Sequence, residues 1–327
     1  MLVTAAGPLP GKDFRGALAA MSQALPEILP WPELPAREPG NAGVGRTIGI
    51  LDQLGFEVRP TGWRLGGGSS IEHRAASSRW RRDLDDAEEL LTGFDQVLKV
   101  GITGPWTLAA TIERPRGGLV LGDRGALREI HQALEEGAAW LRSELGKRVP
   151  AARLLLQVNE PLLVAVEQGQ LPTASGLRRH PVIPGPELAQ SLQRFSQEAV
   201  LHSGNSAGWL PVAKQAQFAT ASISSRLFHT PQDLDQVGEW LADGGRLIAG
   251  VVADPATATP GTDELLDTAL RLLRPLELEP ASLIDRVILG TGDGLENWEQ
   301  GRVSGLLSNL RRSASLLSEC LLEQELG

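Results

Sequence analysis

The stretch VLKVGITG at 97–104 runs directly into PWTLAATIE. A largely apolar, β-branched run that ends at a glycine and a proline is the pattern of a strand buried on both faces that hands over to a helix at its carboxyl end. The same pattern returns along the chain. ARLLLQV at 152–158, AVLH at 199–202, ATASIS at 219–224, RLIAGVV at 246–252 and RVILG at 286–290 all read as buried strands bounded by Gly, Pro, Asn or Ser. LVTAAG at the start and FEVRP at 56–60 bring the number to about eight.

The intervening segments are helical. Between 123 and 145, Leu127, Ile130, Leu134, Ala138, Leu141 and Leu145 recur at three- and four-residue spacing, one apolar stripe for packing on a sheet. Thr230-Pro231-Gln232-Asp233 offers a capping hydroxyl, a proline at the first helical position and an acid at the third. Alternating strands and helices leave two architectures, an open doubly wound sheet or a closed eight-stranded barrel. An open sheet that binds a dinucleotide carries G-x-G-x-x-G after its first strand, and GPLPGKD at 7–13 does not supply it. The expected fold is therefore α/β, a single (β/α)8 TIM barrel spanning 1–327. The Pro-, Gly- and Arg-rich segment 33–68 is read as a long loop insertion with one short helix at 47–54, placed to fold over the barrel mouth.

Composition narrows the partners. A formal net charge of −9 and a pI near 5.2 exclude nucleic acid and anionic membrane, both of which require dense Lys/Arg patches. The single cysteine, Cys320, forbids an intramolecular disulfide and sits among leucines as a small buried thiol. With no signal-like start and no apolar run near the roughly 20 residues of a membrane span, the expected location is cytoplasmic.

In a barrel, chemistry gathers where strands end, so the residues after each strand are the candidates. They are GPWT at 104, NEP at 159, HSGN at 202, SSR at 224, ADP at 253 and GTGDG at 290. Asn159 and Glu160 put an amide and a carboxylate at the mouth, able to hold an amino or hydroxyl group. Glu160 reads equally well as a capping or salt-bridged structural acid. His202 and Asp293 end two other strands and are candidate metal ligands, although a zinc site ordinarily takes three or four ligands from the protein. Trp106 and Trp63 are expected to pack near the mouth.

Several of these stretches, with LPGKD at 9, PELPAR at 32, GR at 45, GWRL at 62, KVGITGPWTLAATIE from 99, QVNEPLL from 157, GQLPTASG from 169, VLHSG at 200, GVVADP at 250 and TGDGL at 291, together resemble the cobalamin-independent methionine synthase family. The likeness is to short members that carry only the C-terminal catalytic barrel, of the uroporphyrinogen decarboxylase and methionine synthase superfamily. The resemblance implies methionine biosynthesis: a zinc-bound thiolate, normally homocysteine, receives a methyl group. Zinc supplies the thiolate because a free thiol is mostly protonated at neutral pH.

The family's zinc ligands are His, Cys, a carboxylate and a second Cys. Carried onto this chain they fall on His202, Gly204, a position near Ser224, and Asp293, so neither Gly204 nor Ser224 is a ligand here. Loss of both thiolates removes the soft ligands that select zinc, which predicts a weak or absent metal. The family's substrate-binding acid falls on Asn159. An amide there forfeits a charge-assisted hydrogen bond to an ammonium, roughly 1.5 to 3 kcal/mol. Glu160 is kept, and Trp106 stands beside the expected substrate site.

Three readings follow. The first is a thiol methyltransferase with a rearranged site, with His202, Asp293 and Asp254 on a metal, Glu160 orienting the substrate, and a corrinoid protein or folate as methyl donor. The second is a non-catalytic module that binds a homocysteine-like thiol, an amino acid or a protein at the old mouth. The third is metal-free decarboxylation, in which Arg37, Arg46, Arg64 and Arg226 hold an acidic substrate.

Overall fold

The computed structural model describes residues 1–37, 42–203, 207–224, 230–252 and 258–325. Ten strands appear among them: β1 (Leu2–Val3), β2 (Ile28–Pro30), β3 (Gly55–Arg59), β4 (Gly62–Gly66), β5 (Val97–Thr103), β6 (Arg153–Asn159), β7 (Ala199–His202), β8 (Thr220–Ser224), β9 (Arg246–Gly250) and β10 (Val287–Gly290). Eight form one parallel sheet in the order β1-β10-β9-β8-β7-β6-β5-β2, a nearly closed TIM-type barrel. The two end strands are stitched by other bonds. Thr4 Oγ1 donates to Ile28 O at 3.2 Å, Glu33 N to Gly7 O at 3.0 Å and Leu9 N to Glu33 O at 2.7 Å. Glu33 thus stands at the closing seam of the barrel.

Side chains alternate along each strand, and the inner faces change character from one end to the other. Ile28, Val97, Val200, Ile248 and Ile288, with Leu155, form a separate apolar cluster that plugs the lower barrel. Two residues further along β5 and β6 the same faces carry Lys99 and Gln157, and two further still Gly101 and Asn159. The outward residues, such as Leu98, Val100 and Ile102 of β5, join the main core under the helices.

The helices are α1 (Phe14–Ala24), α2 (Gly43–Ile48), α3 (Ile71–Leu90), α4 (Pro105–Thr111), α5 (Arg124–Arg148), α6 (Leu163–Glu167), α7 (Gly185–Leu192), α8 (Leu210–Gln215), α9 (Pro231–Ala242), α10 (Thr262–Leu273), α11 (Pro280–Arg286) and α12 (Gln300–Glu325). Their starts follow the sequence signals. Asp123 caps α5 through Gly125 N and Ala126 N, and Thr230 with Asp233 closes a capping box on α9. Among the described residues no helix is long and apolar enough to cross a membrane.

Three expectations are corrected. FEVRP is not a barrel strand. It lies in β3, which pairs antiparallel with β4 in a separate hairpin, and the fall along one face from buried Phe56 to exposed Val58 marks a ribbon covered at one end only. The eighth barrel strand is β2, three residues ending in Pro30; a proline fits there because β2 ends the sheet at the seam. The short helix of the insertion is α2 at Gly43–Ile48, not 47–54, and residues 33–68 hold real structure as well as loop. Cys320 is half-buried on α12 rather than fully enclosed.

Candidate functional site

The turn between β5 and α4 is built from two of the quoted motifs. Gly104 occupies the cap position of α4 and has no side chain with which to cap it. The carboxylate of Glu160, from the end of the neighbouring strand, fills that role. It accepts from Trp106 N and Thr107 N, both at 2.8 Å, and from Thr107 Oγ1 at 2.6 Å. A Cβ on Gly104 would lie 2.4 Å from Glu160 Oε1, so glycine is required for the close approach. Glu160 is fully enclosed, and burial pushes its pKa up to about 7 against the three hydrogen bonds, which pull it down. Trp106 is equally buried, with its indole N–H donated to Leu188 O at 3.2 Å and its ring edge-on to His131. Of the two readings of Glu160, the capping acid is the one these bonds match; neither Glu160 nor Trp106 lines the mouth cavity, and both brace α4.

Above them the carboxyl ends of the strands enclose a cavity of about 490 Å3. Asn159, His202 and Asp293 line it together, as the strand-end rule predicts, with Glu33, Gln157 and Glu296. The insertion closes over it: Ala42 to Gly45 and Trp63 form part of the wall. Helix α2 is pinned there by Thr47 Oγ1, which accepts from Thr103 N at 2.8 Å. A larger hollow of about 660 Å3 lies at the opposite end, at the start of β6, where Arg194 pairs with Glu135 at 2.6 Å and Arg142 donates to Gln197 O at 2.7 Å. It is an open surface groove away from the carboxyl ends of the strands.

The floor of the mouth cavity is a buried polar network that sequence reading passed over. Lys99 Nζ donates to Ala5 O at 2.6 Å and to Gln157 Oε1. Gln157 Nε2 donates to Ala6 O at 3.0 Å and to Asn159 Oδ1 at 2.8 Å. Glu33 lies between Gly7 and Gly101, where a Cβ would come within 2.8 and 2.3 Å of its Oε1. Arg46 approaches Glu33 Oε1 at 3.5 Å, donates to Gly101 O, and stacks on Trp80 at 4.2 Å. Burial pushes the Glu33 carboxyl up, while Arg46 and then Lys99 draw it down. Burial also lowers Lys99 to about 7, opposed by Glu33. Two cations thus back one carboxylate in a site sheltered from water, where such charges interact strongly.

The far side of the cavity is sparser. His202 Nδ1 meets Ser222 Oγ at 3.0 Å, and burial with the nearby charge of Lys99 lowers the imidazole to about 4, so it is neutral at pH 7. Ser224 is buried at the end of β8, its hydroxyl without a hydrogen bond among the described residues. Gly204, Arg226 and Asp254 lie outside the described residues. Among those described, no group of three or more His, Cys, Asp or Glu is placed to hold a metal ion. The arginines expected to hold an acidic substrate are otherwise engaged: Arg37 pairs with Asp83 at 2.6 Å, Arg64 with Glu113 at 3.0 Å, and Arg46 with Glu33. None of the three lines the cavity.

The missed residues left only faint signals. Lys99 and Gln157 are long polar side chains inside runs read as buried strands, and their shared inward face follows from period-two counting. Glu33 sits in PELPAR, where nothing local announces that it closes a barrel.

Comparison with known proteins agrees with the fold. No family model matches the chain, and no curated protein matches it by sequence. Among solved structures it is similar to a B12-independent methionine synthase from Shewanella sp. W3-18-1 in complex with selenomethionine, at 14% identity, with 98% of each chain covered and a TM-score of 0.62. A phosphodiesterase from Oleispira antarctica, in complex with sn-glycerol-3-phosphate, aligns over 69% of this chain and 60% of its own, with 12% identity and a TM-score of 0.31. The likeness to the synthase, which extends over nearly the whole of both chains, is one of fold.

Proposed function

We propose that this barrel binds a small amino acid or thiol of the homocysteine and methionine kind at its mouth, as a relative of the cobalamin-independent methionine synthase catalytic barrel. The observation that carries the reading is Glu33. Its buried Oε1 has no hydrogen bond, and its side chain lines a cavity that also presents the amide of Asn159 and the carboxylates of Asp293 and Glu296. A buried acceptor left without a donor asks for one from a ligand, and an ammonium supplies it. The cavity volume lies within the range of small-ligand sites. The solved neighbour's selenomethionine is in keeping with this choice of ligand.

Zinc fits these residues poorly. The described donors are one imidazole and hard carboxylate oxygens, with no thiolate to select zinc. Binding without methyl transfer is therefore the principal reading. The methyltransferase reading is favoured by one observation, that a neutral His202 shares the cavity with Asp293. In that reading a corrinoid protein or folate brings the methyl group.

Isothermal titration of the purified chain with L-homocysteine and L-methionine tests the proposal, with zinc content measured on the same preparation. Saturable binding that is lost in Glu33→Gln is the expected result. Wild-type protein that binds neither compound overturns it. Near-stoichiometric zinc together with methyl transfer to homocysteine moves the assignment to the methyltransferase.

A further inference from the structure

The amide of Asn159 has a fixed direction. Lys99 Nζ lies between Ala5 O at 2.6 Å and Gln157 Oε1. Charged or neutral, Nζ has hydrogens for both of these acceptors, so the oxygen end of the Gln157 amide faces it. The nitrogen end is set independently: Ala6 O can only accept, and it takes its hydrogen from Gln157 Nε2 at 3.0 Å. That nitrogen's other hydrogen goes to Asn159 Oδ1 at 2.8 Å. Turning Asn159 over would set two N–H donors face to face. Its Oδ1 is therefore held inward, and Nδ2 makes no hydrogen bond within the described protein while Asn159 lines the cavity. Behind it stand two cations, Lys99 and Arg46, and one carboxylate, Glu33.

We infer that the chain of contacts from Lys99 through Gln157 makes Asn159 a hydrogen-bond donor to the cavity, so that the ligand group seated on it is an acceptor, a carboxylate or carbonyl oxygen, and not an ammonium. Lys99 and Gln157 are positioning residues for that subsite. The inference rests on the proposed amino-acid site for the rest of the molecule: the acid end docks on Asn159 and the amino end on the carboxylate side of the cavity, at Glu33, Asp293 or Glu296. An aspartate at position 159 would present two acceptors and take the opposite group, so one side chain sets which end of a zwitterion enters first.

The test uses the full chain labelled with 15N at asparagine and glutamine side chains. The Asn159 cross-peaks are assigned by their disappearance in Asn159→Asp. Sodium acetate and methylammonium chloride are titrated separately at constant ionic strength. Acetate is expected to shift the Asn159 Nδ2 peaks saturably, and methylammonium to leave them in place. In Lys99→Met, and in Gln157→Met should the first variant fold poorly, acetate affinity falls about tenfold or more, because the amide is free to turn. A shift with methylammonium alone, no shift with either ion, or unchanged acetate affinity in a folded variant overturns the inference. If acetate binds as expected while methionine and homocysteine do not, the amino-acid reading fails and the donor assignment stands. If methionine binds but acetate leaves Asn159 unmoved, the donor assignment alone fails.

Discussion

The two sides of the barrel mouth are built differently. On the side of β2, β5 and β6, Glu33 and Arg46 form a buried ion pair, Lys99, Gln157 and Asn159 form a hydrogen-bonded chain, and the charge of Lys99 acts on Glu33 across the space between them. On the side of β7, β8 and β10, the described residues offer one imidazole with a single serine partner, buried hydroxyls of Ser203 and Ser224 without hydrogen bonds, and, past the end of β10, the carboxylates of Asp293 and Glu296 on the cavity wall. Both sides end strands of one sheet, and both line or border one cavity. A buried polar network persists only where its members satisfy one another, and such networks hold their geometry before a ligand arrives. The first side fixes the direction of its amides before a ligand arrives, and the second adds the carboxylates of Asp293 and Glu296 to a wall with few hydrogen bonds of its own.

The contrast is broken most severely at Glu33. Glu33→Ala removes the carboxylate beside Arg46 Nη1, leaving Arg46 with the weaker charge of Asp83 and Lys99 free to shed its proton, an expected loss of about 3 kcal/mol or more. Urea denaturation at pH 7 measures it. A change below about 1 kcal/mol would mean that water or a neighbouring acid already compensates Arg46 and Lys99, and the network would lose its central member.

Next in size is the brace beneath the same side. Glu160→Ala strands Trp106 N, Thr107 N and Thr107 Oγ1 together in a dry site, with an expected loss of about 3 kcal/mol. Glu160→Gln keeps one acceptor but turns an amide nitrogen toward the other donors, and should lose about 2 kcal/mol. If Glu160→Ala loses less than about 1 kcal/mol, the carboxylate does not act as a cap.

Acid should loosen the same region. Burial, and then the charge of Arg194, lowers His131 from 6.5 to about 4. The folded state disfavours the protonated ring, so this stability is fully present above about 6.5 and is lost as pH falls from there toward 4. At pH 5 the difference amounts to about 2 kcal/mol. In His131→Gln the change in unfolding free energy between pH 7 and pH 5 should shrink by about that amount. An unchanged profile would place the acid sensitivity elsewhere, first at His202, which is lowered in the same way.

What the sequence made legible follows from the physics that wrote it. Strands buried on two faces leave apolar runs too plain to miss, and the rule that chemistry sits at strand ends put Asn159, His202 and Asp293 on one cavity. FEVRP misled because five residues of a half-covered hairpin look the same as a short barrel strand, while β2 hid between Pro26 and Pro30. Glu160 could be read as a ligand-holding carboxylate or as a cap, and only its bonds to Trp106 N and Thr107 N, passing over a glycine that leaves room for them, decide between the two. Lys99 and Glu33 were illegible for the opposite reason. Each is a single charge in an apolar setting, 66 positions apart in the chain, and they belong together only once the sheet has curled and closed.

The smallest effect separates the two sides most directly. If the wall side holds no metal, His202 contributes one hydrogen bond to Ser222 and little else, and His202→Ala should lower stability by about 1 kcal/mol at pH 7. Zinc content and methionine affinity should stay as in the wild type. Should His202→Ala instead release bound zinc, or lose stability in proportion to added zinc, the imidazole is a ligand and its companions come from the chain around the same opening. The asymmetry would then be one of kind: an organic ligand gripped on the side of β5 and β6, and a metal held opposite it. Because Ser222 already occupies Nδ1, such a metal would have to take Nε2, with Ser222 as the partner that orients the ring. Ser222→Ala would accordingly weaken zinc binding in that case, and would leave everything except a fraction of the stability untouched in the other.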